Sequence, residues 1–160
     1  MKRIATYEII SLFGFIVLLV IHNFVNLPSW YISNLLFAKC AYLGGIGGCL
    51  YCLRAIYLNK CVLKQWDDEW QAWYFLRPIT STISGFVSCI FLKAGLLVLD
   101  VANKPSSTIY GYLAIAFIAG YNVDNFMKRL ESIAQTTWGI SKSRTTSVNE
   151  NKQNKEAKDG

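Results

Sequence analysis

The chain has 160 residues, 53% of them hydrophobic and 14% aromatic, and a formal net charge of +6. Four apolar runs occupy about half of it, each near the length a helix needs to cross a hydrocarbon layer about 30 Å thick. The remainder is too short and too polar to bury a core of its own, which excludes an independent soluble domain.

Met1–Tyr7 is basic, with Lys2 and Arg3. An apolar run follows over 9–25, interrupted only by Ser11, Gly14, His22 and Asn23. A secretory leader starts the same way, but this run is long and no good small-x-small cleavage site follows it, so a retained first span is expected over 9–25. Asn26–Asn34 is an uncharged turn. Pro28 stops the helix there, and Trp30 and Tyr31 suit the membrane interface.

The second span is expected over 35–58 and contains GGIGGCLYC. Gly44 and Gly48 make a GxxxG, extended by Cys52, and Ala41, Gly45 and Cys49 repeat the spacing beside it. Small residues let helix backbones approach closely in lipid. They serve either packing inside one bundle or a seam between copies. Ala116 and Gly120 have the same spacing in the last span, so the second and fourth spans are expected to pack tightly.

The connector from Arg54 to Pro78 holds Trp66, Trp70 and Trp73 at i, i+4 and i+7, which places three indoles on one helical face. Indoles favour the headgroup layer, so these are expected interface anchors. The connector is expected to be a cytoplasmic amphipathic helix joining two hairpins, and a place where a cytoplasmic protein partner could bind. A short soluble amphipathic helix is the alternative. Asp67, Asp68 and Glu69 diverge around such a helix and make a poor cation cage.

The third span is expected over 78–99, with Pro78 in its first turn. Ser81, Ser84 and Ser88 share one face, and Lys93 lies in the outer half. His22 and Lys39 fall at similar depth on the first two spans. A charge at the bilayer centre costs at least about 2.5–3.5 kcal/mol unless it faces a cavity, finds a partner or reaches the interface. Two readings stand. Either the lysines snorkel outward, or the serine stripe lines a hydrated path that closes or selects near Lys93. Ser81, Ser84, Ser88, Lys93, Lys39 and His22 are therefore the candidate pore-lining or gating residues.

A loop over 100–108 leads to a short fourth span at 109–123, bounded by Tyr110 and Tyr121. Beyond it, Phe126, Leu130, Ile133, Ala134 and Trp138 share one helical face, and Lys128, Arg129 and Glu131 another, as in a surface-lying helix. From Ser141 the chain is polar, and a disordered tail is expected over 141–160. The fold class is thus all-α: a four-helix transmembrane bundle of two hairpins over 1–140, with the amphipathic connector and the tail.

Lys and Arg gather at residues 2–3, in the connector (Arg54, Lys60, Lys64, Arg77) and after Asp124, whereas 26–34 has none and 100–108 only Lys104. This alternation matches four spans, and the positive-inside rule puts both termini and the connector in the cytoplasm. The basic balance follows from orientation and anionic lipid, so no nucleic-acid partner is expected.

Cys49 and Cys52 form a CxxC like that of quinone-linked disulfide formers, but they lie in the cytoplasmic half, where thiols stay reduced. Cys40, Cys61 and Cys89 show no second pair, and buried cysteines are common apolar fillers. His22 is the only histidine and has no ligand cluster around it, so no metal site is expected. No nucleophile elbow, phosphate loop, paired carboxylates or haem motif occurs. Neither a catalytic residue nor a cofactor is expected. The expected partners are the bilayer and further copies of the chain in a homo-oligomer, with Gly44, Gly48, Ala116 and Gly120 as packing residues.

YFLRP at 74–78, Gly85, KAGLL at 93–97 and LAIAFIAGYNVDNFMKRLESIA at 113–134 resemble a pattern in small bacterial multi-pass membrane proteins of uncharacterised function. There, an aromatic-Leu-Arg-Pro opens a helix, Gly-Leu-Leu closes it, and Ala-Gly-aromatic ends the next. The resemblance implies inner-membrane placement and the last hairpin, and it implies no activity. Three functions are open: a pore-forming or membrane-perturbing effector of the kind used in bacterial antiphage defence, a phage holin, and a non-conducting membrane scaffold recruiting partners through the Trp-rich connector.

Overall fold

The structure, a computed structural model, describes residues 2–21, 24, 34–64, 71–95 and 105–139. These residues form five α-helices and no strand: α1 (Lys2–Ile21), α2 (Leu35–Tyr57) with a π-helical turn after it (Leu58–Val62), α3 (Gln71–Lys93), α4 (Pro105–Tyr121) and α5 (Val123–Trp138). The turn with Pro28, Trp30 and Tyr31, His22, the connector residues Trp66, Asp67, Asp68, Glu69 and Trp70, the loop residues Asp100 and Lys104, and the tail over 141–160 lie outside the described residues.

Arg3–Ile21, Leu35–Val62 and Gln71–Lys93 are each long and apolar enough to cross a membrane, and Ile109–Tyr121 is a shorter apolar helix. Most of α1 is apolar on every side. Ile10, Phe13 and Val17 are more than half exposed on its surface. A helix with no polar face suits a lipid surround.

The helix bounds differ from those expected. The first helix begins at Lys2 rather than Ile9, because nothing in KRIATYE breaks a helix and Ile4 and Glu8 are buried. Pro78 does not open the third helix. It lies inside α3, which is already helical at Gln71. A proline there forfeits one backbone bond, and Thr82 Oγ1 donates to the Pro78 carbonyl at 2.8 Å. Trp73, placed on the surface connector by its spacing with Trp66 and Trp70, belongs to this same helix. Gly95 ends α3 with φ of +73° and donates its N–H to the Leu92 carbonyl at 3.1 Å, a left-handed C-terminal stop.

The described residues fall into two compact units that divide after Val123. In the first, α2 is the central helix and touches α1, α3 and α4. The reason is its glycine stripe. A Cβ on Gly44 would stand 2.5 Å from the Ser81 carbonyl oxygen and 2.7 Å from the Gly85 Cα. On another side Gly120 of α4 rests on the Gly44 backbone, and Gly47 lies against the Phe117 carbonyl. Helices approach this closely only where neither carries a side chain. Gly44, Gly48, Ala116 and Gly120 are all buried. In the second unit, α5 is amphipathic: Leu130, Ile133 and Ala134 are half-buried and Lys128 and Arg129 exposed. Gly139, with φ of +67°, closes it on the Gln135 carbonyl at 3.0 Å.

Candidate functional site

The buried polar residues of the first unit lie on two helices. On α3, Arg77, Ser81, Ser84 and Ser88 recur at i, i+4, i+7 and i+11 and form one face. Each is at most 4% exposed. From Arg77 to Lys93 the helix rises about 24 Å, most of a hydrocarbon core. The face is turned to the small residues of α2. Ser81 lies so close to Gly48 that a Cβ there would strike its side chain. Further along, Cys40 and Cys89 are neighbours in a buried cluster with Ala116.

Two of the three serines are satisfied by their own helix. Ser84 Oγ donates to the Thr80 carbonyl at 2.9 Å and Ser88 Oγ to the Gly85 carbonyl at 2.8 Å. Ser81 Oγ has no hydrogen-bond partner among the described residues. Such back-bonding is the usual way a helix hydroxyl is kept dry.

One end of this file is held by aromatic rings. The Arg77 guanidinium carbon lies 4.6 Å from the Tyr51 ring centroid and 5.0 Å from that of Trp73. Tyr51 also meets Trp73 edge-on at 5.9 Å and Tyr121 at 5.6 Å. Arg54 donates to the Tyr121 hydroxyl at 2.7 Å, which ties α2 to α4 at the same end. At the other end Lys93 is exposed, and its Nζ sits 4.3 Å over the Phe37 ring. Lys39 is half-buried on α2.

Sequence reasoning passed over Glu8. It stands just ahead of an apolar run that begins at Ile9 and so looks like the wet edge of that run. In the structure it is fully buried. Its carboxyl faces Cys49 and Cys52 of α2, and neither oxygen has a hydrogen-bond partner among the described residues. One signal for it was present: Glu8 is the only acid before Asp67, and Ile4, one turn earlier, is buried with Cys52, Ile56 and Tyr74. The CxxC pair therefore packs against a carboxyl, and Cys40 and Cys89, which no spacing links, meet across α2 and α3. All five thiols are free. Among the described residues no group of three or more His, Cys, Asp or Glu side chains is placed to hold a metal.

No family model, curated protein or solved structure matches the chain. What the site offers chemically is a row of hydroxyls, a guanidinium held between rings and a separate buried carboxyl.

Proposed function

We propose that this is a four-span protein of the bacterial inner membrane, with both termini cytoplasmic, that acts as a pore-forming or membrane-perturbing effector. The observation that carries this reading is the buried polar file Arg77–Ser81–Ser84–Ser88 running towards Lys93 through a largely apolar bundle. Polar residues at membrane depth are costly and mark ion or substrate paths. A helix that only packed against neighbours could place alanine at all three serine positions.

In the single chain the file is closed, because Gly44 and Gly48 of α2 lie directly on it. Permeation then requires α2 and α3 to part, or several copies to assemble with this face turned to a shared lumen. The alternation of Lys and Arg along the chain supports the orientation. Killing of a phage-infected cell is the setting we propose for such an effector.

The test is membrane potential, read by dye fluorescence in cells expressing the protein or its Ser84→Leu, Lys93→Leu double variant. Depolarisation by the wild type alone is expected. Polarised cells at full expression would favour the scaffold reading, which the closely packed glycine interfaces also suit.

A further inference from the structure

Glu8 is not part of the α3 file. It lies two turns into α1, and α1 packs on α2 and α3. From α2 it meets the thiols of Cys49 and Cys52. From α3 come Tyr74, whose hydroxyl accepts from Asn59 Nδ2 at 3.4 Å, and Arg77. The Arg77 guanidinium lies over the rings of Tyr51 and Trp73. Within α1, Tyr7 is turned to the Phe75 carbonyl and Arg3 is exposed. Glu8 thus has weak thiol neighbours, and among the described residues no nitrogen or hydroxyl donor reaches either oxygen.

An ionised carboxylate is costly in such surroundings, because only the weak thiol donors of Cys49 and Cys52 stand against its desolvation. Among the described residues no group of three or more His, Cys, Asp or Glu is placed to hold a metal cation. A proton needs no such group.

We propose that Glu8 is a proton-binding site and that its proton latches α1 onto α2 and α3. Release is a simple dissociation: the O–H bond of the carboxylic acid breaks, the electron pair stays on the carboxylate and the proton passes to water. The carboxylate then draws water, which reaches it when the first turns of α1 lift from Cys52, Ile56 and Tyr74. That movement would uncover the Arg77 end of the polar file. α1 meets the bundle through side chains rather than backbone: Phe15 lies against Gly45 of α2, and its own Gly14 has nothing within 4 Å. The site stands on the surroundings of Glu8 alone, whereas its use as a trigger rests on the permeation reading above.

The test uses the full chain in phosphatidylethanolamine–phosphatidylglycerol vesicles. In the infrared, the wild type should show the high-frequency carbonyl stretch of a buried, weakly hydrogen-bonded carboxylic acid. The band should fade as the pH range is scanned from acid to alkaline and be missing in Glu8→Gln. The same band in Glu8→Gln, or no such band in the wild type at any pH, would overturn the site. Loss of the band on adding sodium at fixed pH would reassign it to a metal cation.

The latch is read separately, by maleimide labelling of Cys52 relative to the exposed Cys61. That ratio should rise about tenfold over the same pH range in the wild type and stay flat in Glu8→Gln, which keeps a neutral side chain of the same shape. A flat ratio in the wild type would sink the latch. Neither readout involves conductance, so a titrating Glu8 in a protein that never depolarises membranes would uphold the site and remove the pore.

Discussion

Gly120 of α4 and Gly44 of α2 meet backbone to backbone, so that a Cβ on Gly120 would fall on the Gly44 carbonyl group. Gly85 of α3 presses on the same residue from another direction, with a Cβ there coming within 2.8 Å of the Gly44 Cα. One glycine thus sets the spacing of three helices. Gly44→Val, Gly85→Val and Gly120→Val are each expected to lower stability by about 1–3 kcal/mol or more, since backbone cannot yield as a side chain can. Gly14→Ala should do the opposite. Gly14 is helical with open space around it, and replacing it removes a flexible residue for a gain of about 0.5–1 kcal/mol. Thermal unfolding in detergent checks both. Equal melting points across the set would contradict the packing.

Arg77 is held by two rings, and its contribution is shared with them. Trp73→Leu and Arg77→Met should each destabilise the bundle. A double-mutant cycle between them should return a coupling of about 0.5–2 kcal/mol. Additive losses would mean that the guanidinium does not draw on the indole. Arg77→Lys should recover only part of the effect, because an ammonium cannot lie flat across two faces.

The serines should separate stability from permeation. Ser84→Ala and Ser88→Ala remove hydroxyls that bond only their own helix, so each is expected within about 0.5 kcal/mol of the wild type. Ser81→Ala removes a hydroxyl with no partner among the described residues and should be neutral or mildly stabilising. If the file is a path, the triple alanine variant keeps its melting point while depolarisation falls. Unchanged depolarisation in that folded variant would remove the serines from the path.

Thiol reactivity should follow burial. Cys61, on the π-helical turn, is exposed, whereas Cys40, Cys49, Cys52 and Cys89 are buried. In the folded protein at neutral pH, Cys61 should react with maleimide at least about tenfold faster than the other four. With a membrane-impermeant reagent, the proposed orientation has Cys61 labelled from the cytoplasmic side only. Labelling from the outside would reverse the topology.

Much of the helical plan could be read directly from composition and period. Long uncharged runs have few alternatives to helices, since a chain in lipid must satisfy every backbone group internally. The small-residue spacing pointed to close packing of the second and fourth spans, because small-xxx-small works only on one face of a helix. The serine stripe was visible for the same reason. Helix bounds were less legible. Pro78 reads as a start signal, yet favourable residues on both sides carry the helix through it.

Tertiary contact decided the rest. No spacing rule brings Gly85 to Gly44 or Cys40 to Cys89, because their meeting depends on how antiparallel α2 and α3 are registered. Trp73 shares a period with Trp66 and Trp70, but its helix places it beside Arg77 and Tyr51. Glu8 is the clearest case. In sequence a single acid ahead of an apolar run looks like a solvated terminus, and only the docking of α1 against Cys49, Cys52 and Tyr74 takes its carboxyl out of water. Periodicity reports which residues share a face of one helix, whereas burial depends on what the neighbouring helices place against that face.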